Sequence, residues 1–278
     1  MKNNKPIISV CVPVFNGEKN ISRNIKSLIN QEFKNFEILI SNNKSTDKTF
    51  KICNTFKKKD NRIKIYNQKK KIPVFQNFKF LIKKSRGEYI MWLASHHKIS
   101  KNFLKENYKI LKKNKNFVAS MGVDYFEKYK NFNDKKKFNF KENVYQNLLV
   151  FFDNCWRTHG LFYSLIRKNV VLKITPSLKH YLASDWIFMI HLILQGKIFR
   201  TLNSSLILGD EGSSSQRKKP NYISKKFKSF FPFYYFNKYF FKLIIESSQF
   251  TLGQKINLSF ISLSLNLKYL ISIYKKND

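Results

Sequence analysis

Four segments carry side chains able to do chemistry: Phe15-Asn16-Gly17-Glu18, Ser41-Asn42-Asn43, Ala94-Ser95-His96-His97 and Ser184-Asp185. The carboxamides of Asn42 and Asn43 accept and donate hydrogen bonds, and they equally suit a simple turn. His96 and His97 are adjacent imidazoles, and neutral imidazole is a metal ligand. Asp185 follows Ser184 and precedes Ile187, Ile190, Leu194 and Gly196, which reads as a helix with Ser184 as N-cap and Gly just past its end. Its carboxylate then falls in the first turn, where the helix dipole favours the anion. Cys11, Cys53 and Cys155 cannot all pair, match neither a zinc knuckle nor a C-x-x-C motif, and read as small buried thiols in a reducing compartment.

The elements that must position these groups follow from periodicity. Ile7–Val14, Phe36–Ile40, Arg62–Tyr66 and Glu88–Leu93 read as strands. Between them the period becomes helical, at Ile21, Ile25, Leu28 and Ile29, at Ile52, Cys53 and Phe56, and at Phe75, Phe78, Leu81 and Ile82. Ser45 or Thr46 suits the cap of the second helix and Pro73 the first turn of the third. Such alternation predicts right-handed crossovers and a mostly parallel α/β sheet, whose ligands bind outside the carboxyl ends of the strands. The first three polar segments lie at those ends.

Length and charge bound the rest. The 278 residues, 43% hydrophobic and 16% aromatic, are enough for a sizeable core and unlike a disordered tail. The net charge of +36 suits an anionic partner, such as nucleic acid, a phospholipid surface or a phosphorylated substrate. It equally suits A/T-rich coding, since the excess is Lys in the company of Asn, Ile and Phe. The N-terminal apolar run reads as a first core strand, not a signal peptide, and no stretch reaches a spanning length, which makes the cytosol the expected location.

The motifs resemble those of family 2 glycosyltransferases. The opening, ISVCVPVFNGEKNISRNIKSLINQEFKNFEILISNNKSTDKT, follows the pattern strand-P-x-Y/F-N-x-E, an amphipathic helix ending S-I-L-x-Q, then strand-D-D/N-G-S-T-D. NFKFLIKKSRGEYIMWLASHH resembles the segment N-x-(A/G)-x-x-x-A-x-G-E-Y-I-x-F/W-L-D-x-D-D, and YLASDWIFMIHLILQGKIFRTLNSSLILGDEGSSSQR the stretch with the catalytic base. The likeness covers roughly residues 5–217. It implies a GT-A (nucleotide-diphospho-sugar transferase) fold, a Rossmann-like mostly parallel sheet flanked by helices, with C-terminal helices after it. Pro13, Phe15, Asn16, Glu18, Asn42 and Asn77 would form the nucleotide site, with Phe15 against the base and Glu18 near the sugar nucleotide. Asn42 stands where most relatives have an Asp that accepts from the uracil imide.

One departure matters. Relatives hold a divalent cation, Mn²⁺ or Mg²⁺, on a D-x-D pair that offsets the charge of the leaving diphosphate. Here Ala94, Ser95, His96 and His97 occupy that loop, with no carboxylate. Three explanations stay open: a softer metal on His96 or His97, with Asp210 of Asp210-Glu211 as a traded carboxylate; a metal-free site using Lys98, Arg217, a protonated His or a helix N-terminus; or lost activity. The resemblance makes Asp185 the general base of a single inverting displacement.

The expected organisation is a transferase domain over 1–220, with a nucleotide half at about 1–100 and an acceptor half at about 101–220. Residues 221–278 follow as basic, aromatic helices. The charged stretch between Gly122 and Phe138 (Asp124, Glu127, Lys128, Lys130 and Lys135–Lys137) reads as an exposed excursion beside the acceptor side, and Trp156, His159 and Tyr163 lie in a segment that suits either an acceptor platform or core. Lys225, Lys226, Lys228, Lys238 and Lys242 among Phe and Tyr, and Phe260, Leu263, Leu265, Leu267 and Leu270 before Lys275-Lys276, suit either a helix at the inner face of the membrane or helices packed on the catalytic domain. The expected function is non-processive transfer of one sugar from a nucleotide donor, UDP-linked by the resemblance, to a glycan or lipid-linked acceptor. The rivals are a degenerate sugar-nucleotide-binding scaffold and a basic nucleic-acid-binding protein; no RNA-recognition or OB signature supports the latter, so no specific nucleic acid is expected.

Overall fold

The computed structural model describes residues 5–127, 140–156, 160–209 and 231–274. Four parallel strands, β1 (Ile8–Val14), β2 (Phe36–Asn42), β3 (Ile63–Asn67) and β4 (Tyr89–Trp92), lie in the order β3-β2-β1-β4. Each starts and ends within about two residues of its sequence expectation. Helices α1 (Ile21–Ile29), α2 (Thr49–Lys57) and α3 (Val74–Lys84) make the crossovers. After β5 (Lys98–Ile99) and α4 (Phe103–Lys113), strand β6 (Phe117–Phe126) opens the second half. Residues 122–126, expected at the start of an exposed excursion, are thus strand instead, with 123–126 paired to 205–208. It continues with α5 (Val144–Asn154), β7 (Leu165–Arg167), α6 (Lys168–Ile174), α7 (Ser184–Gln195) and β8 (Lys197–Leu208). The sheet extends as β4-β7-β6-β8-β5, with β7 antiparallel to both neighbours and β6 parallel to β8.

Two helices close the chain, α8 (Tyr234–Glu246) and α9 (Leu252–Tyr274). Phe236, Phe240, Ile244, Leu258 and Leu265 join the same core as Trp92, Phe151 and Phe188, so both helices pack on the sheet's helical layer. The other face of the sheet buries Ile21, Ile25, Leu28 and Cys53 against β1 and β2. All three cysteines are free and buried. Burial pushes the Cys53 and Cys155 thiols up to about 12.

Glu37 anchors the edge of the sheet remote from the loops that follow β1, β2 and β4. It is 2% exposed and accepts from Ser9 Oγ at 2.8 Å, the Arg86 amide at 2.8 Å and Lys64 Nζ at 3.0 Å. Burial alone would raise its pKa; the bonds from Lys64, Arg86 and Ser9 outweigh that and hold the carboxyl below its usual range. A depressed pKa stabilises the fold above the unfolded carboxylate value and loses that contribution as pH falls through the folded one. Glu37→Gln is therefore expected to cost about 1–3 kcal/mol near neutral pH, with the gap to the parent chain closing below about pH 4. Urea denaturation of both chains across pH measures it.

Candidate functional site

The loops after β1 and β2 are clamped to each other. Asn16 N–H donates to Ser45 Oγ (2.9 Å), Gly17 N–H to Thr49 Oγ1 (2.7 Å) and Glu18 N–H to Asp47 Oδ2 (3.0 Å). In return, Thr46 N–H donates to Asn16 Oδ1 and Lys48 N–H to Glu18 Oε2, both at 2.9 Å. Ser45 and Thr46 are thereby spent between loops. The first turn of α2 is held by Asp47, which accepts from the Thr49 amide at 3.0 Å. Asn16 and Lys44 take left-handed backbone (φ 48° and 57°). Asn tolerates that conformation, whereas Lys, standing where the family pattern has Gly, pays about 1–2 kcal/mol for it.

Among the expected nucleotide residues, Phe15 is exposed and carries Lys71 Nζ 3.8 Å from its ring centroid. Pro13 is half-buried at the end of β1, and Asn16 and Glu18 are exposed. Glu18's carboxylate serves the loop clamp. Asn42 is buried and donates to Asn67 Oδ1 at 2.7 Å, which leaves Oδ1 as its accepting atom, with the Ser45 amide 3.4 Å away. Asn77, also expected at the nucleotide, makes its bond to the β2 end. It is buried under the β2 end, bonded to Ser41 Oγ at 2.5 Å, so its amide supports the loop from below.

The loop after β4 is fixed from α1. Asn24 Nδ2 donates to the Ala94 carbonyl (3.0 Å) and the His97 carbonyl (2.9 Å). Gln31 Nε2 donates to the Ser100 carbonyl at 2.8 Å and its Oε1 accepts from the Leu104 amide. Sequence reasoning missed Asn24. Its signal was a carboxamide on the apolar stripe of Ile21, Ile25 and Leu28, where a polar group needs a buried partner. Ser95 and His96 are half-buried beside it.

His97 is buried, not solvated, and its Nδ1 accepts from the Gly209 amide at 3.1 Å. A Cβ on Gly209 would lie 2.1 Å from the His96 carbonyl oxygen, so only glycine permits β8 to leave this close to the loop. The accepting Nδ1 puts the ring proton on Nε2. A neutral imidazole ligating metal through Nε2 would carry its proton on Nδ1, facing the Gly209 N–H. Among the described residues no group of three His, Cys, Asp or Glu is placed to hold a metal. The β4 loop, Ala94 to His97, offers the family's divalent cation no carboxylate, and His97 Nδ1 is taken by the Gly209 amide. Asp210, Glu211 and Arg217 lie outside the described residues, as do Lys128, Lys130, Lys135–Lys137 and His159. Lys98 is bonded to Glu127 at 2.6 Å, and Glu127 also pairs with Arg23 at 3.2 Å.

Asp185 sits in the first turn of α7, half-buried. Its N-cap is Ala183, in left-handed backbone (φ 61°), not Ser184, whose Oγ accepts from the Lys179 amide at 2.9 Å. Tyr163 packs edge-on to His97, with ring centroids 4.8 Å apart. Burial first, and the charge of Asp185 second, hold the Tyr163 phenol well above its ordinary range, so it stays neutral. Tyr163 thus touches the β4 loop and lies within the electrostatic reach of Asp185. Next to Asp185, Trp186 stacks on Phe233 (5.5 Å, 14°) and meets the half-exposed Trp156 edge-on (4.9 Å).

The model of glycosyl transferase family 2 matches residues 9–171. A Methanococcus voltae enzyme, dolichyl N-acetyl-alpha-D-glucosaminyl phosphate 3-beta-D-2,3-diacetamido-2,3-dideoxy-beta-D-glucuronosyltransferase, is 36% identical over 122 residues, 41% of this chain and 38% of that protein. The GalNAc(5)-diNAcBac-PP-undecaprenol beta-1,3-glucosyltransferase of Campylobacter jejuni is 36% identical over 89 residues, 32% of this chain and 29% of that one. The chain thus spans well under half the length of these relatives. In fold it is similar to S. aureus TarS 1–349 in complex with UDP-GlcNAc, with a TM-score of 0.66 at 17% identity, over 91% of this chain and 70% of that one.

Proposed function

The chain belongs to glycosyl transferase family 2, and from that premise we propose that it transfers one sugar from a UDP-linked donor to a lipid-linked saccharide with inversion. The observation that carries the reading is the convergence at one sheet end. The loops after β1, β2 and β4 face the same side, and Tyr163 packs on His97 of the last of them while feeling the charge of Asp185. Relatives named for dolichyl- and undecaprenol-linked substrates, and a similar fold crystallised with UDP-GlcNAc, support the acceptor and donor classes.

In this reading Phe15 stacks on the base and Asn42 Oδ1 accepts from the uracil imide. Asp185 takes the proton of the acceptor hydroxyl as its oxygen attacks the anomeric carbon. The bond from that carbon to the diphosphate oxygen breaks, and UDP leaves with the electron pair. The general positive charge of the chain favours the anionic leaving group.

Calorimetric titration of the full chain with UDP tests the site. Equal affinity in EDTA and in Mn²⁺ is expected, as is a loss of about 1–3 kcal/mol of binding in Phe15→Ala, the worth of one stacked base. Binding that requires Mn²⁺ would overturn the metal-independent donor site. Failure to bind UDP in either condition, with unchanged affinity for other nucleotides in Phe15→Ala, would overturn the assigned nucleotide loops.

A further inference from the structure

Helix α9 runs 23 residues, about 34 Å, along the molecule. Its rotation is fixed by polar pairs on its inner face. Asn266 Oδ1 accepts from the Phe233 amide at 2.9 Å, and Ser262 Oγ bonds to Asn237 of α8. Leu258 and Leu265 complete that inner face, fully buried. With this face turned inward, Leu252, Ile256, Phe260, Leu263, Leu267 and Ile271 stand 45–75% exposed. At 3.6 residues per turn these six fall within an arc of about 100°, a continuous apolar stripe along five turns. Single exposed apolar residues need no explanation; an aligned row of six does.

We propose that this stripe lies in the interface of an anionic phospholipid surface. The charge of the chain favours that occupant. Helix α9 contains no Asp or Glu, exposed Lys268 flanks the stripe, and exposed Lys238 stands on α8, where Lys242 is paired with Glu246 at 3.8 Å. A second copy of the chain would have to bring two bodies of net charge +36 together, whereas an anionic bilayer gains from the same charge. Among the described residues no helix is long and apolar enough to cross a membrane, so the helix lies along the surface. Lys225, Lys226, Lys228, Lys275 and Lys276, expected beside it from the sequence, lie outside the described residues.

The inner face of α9 also reaches toward the site. Tyr269 stacks on Trp156 (6.2 Å, 10°), and Trp156 meets Trp186, the neighbour of Asp185 in the chain. Helix α9 would thus stand between a lipid surface on its outer face and the Trp156–Trp186 pair beside Asp185, a short way for a lipid-linked acceptor to reach the site. That last link rests on the transferase reading; the lipid contact does not, and its test uses no activity.

The test is flotation of the full chain with vesicles of equimolar phosphatidylglycerol and phosphatidylcholine, and with phosphatidylcholine alone. Binding to the anionic vesicles is expected, weakened by salt and reduced about tenfold or more in the double variant Phe260→Ser with Leu267→Ser. Both positions are exposed, so circular dichroism and melting should match the parent chain. Absence of flotation with anionic vesicles overturns the proposal. So does equal binding by the double variant, which would leave charge alone as the cause. A concentration-dependent dimer in sedimentation velocity, abolished by the same variant in a chain that does not float, would assign the stripe to a second copy instead.

Discussion

Asp185→Asn is expected to lower kcat for sugar transfer by about 10²- to 10⁴-fold, the usual worth of a positioned general base. UDP affinity should be unchanged, because the base acts on the acceptor hydroxyl and the nucleotide is assigned to the β1 and β2 loops. The substitution keeps the side-chain shape and the helix start, so stability should fall only by about 0.3–1 kcal/mol, the worth of a carboxylate in a first turn. Removing that charge also removes one of the two causes holding Tyr163 high, so the phenol should titrate at lower pH in the variant, with burial still keeping it above its ordinary range. Steady-state kinetics with separate kcat and KM, beside UDP calorimetry, decide the matter. A variant that turns over at near-parental rate would show that another group takes the proton.

Asn24→Ala should produce the second largest effect, and a different kind. The single carboxamide holds the carbonyls of Ala94 and His97 from beneath. Alanine removes that donor from both, and although the Ala94 carbonyl still accepts from the His97 amide at 2.9 Å, the cost is about 1–3 kcal/mol of stability. The loop that aligns His97 with Tyr163 and Gly209 then loses its support. Transfer activity is expected to fall about tenfold or more beyond what the unfolded fraction explains, since small misplacements near reacting groups are costly. Asn24→Asp, which keeps the size but cannot donate, should resemble Ala and not the parent chain. Chemical denaturation and kinetics at a temperature where both chains are folded separate the two effects. Parental stability in Asn24→Ala would mean that water replaces the carboxamide.

Much of the fold was legible because its signals are local. The four opening strands and the three crossover helices follow from apolar periodicity, which the backbone turns directly into buried faces. The position of Asp185 in a first turn was legible for the same reason, since helix starts are written in a few consecutive residues. The caps were less so. Ser45, Thr46 and Ser184 have the right chemistry for N-caps. Their hydroxyls or amides instead serve Asn16 and Lys179, because a tertiary partner competes with the local one. The antiparallel insertion of β7 between β4 and β6 left no mark in a period count.

By itself, then, the sequence determined which segments are strands, which loops gather at the sheet end and which carboxylate heads a helix there. It also supplied the family, through motifs whose order no single element explains. Only tertiary structure decided what each polar side chain does once gathered. Glu18 clamps the next loop, Asn77 supports β2 from below, and His97 spends Nδ1 on Gly209, 112 positions away in the chain. It also turned Leu252 to Ile271 outward in a row, by pinning Ser262 and Asn266 inward. The physical reason is one of range. Periodicity fixes a residue's face, but a hydrogen-bond partner is fixed only when distant segments meet in space.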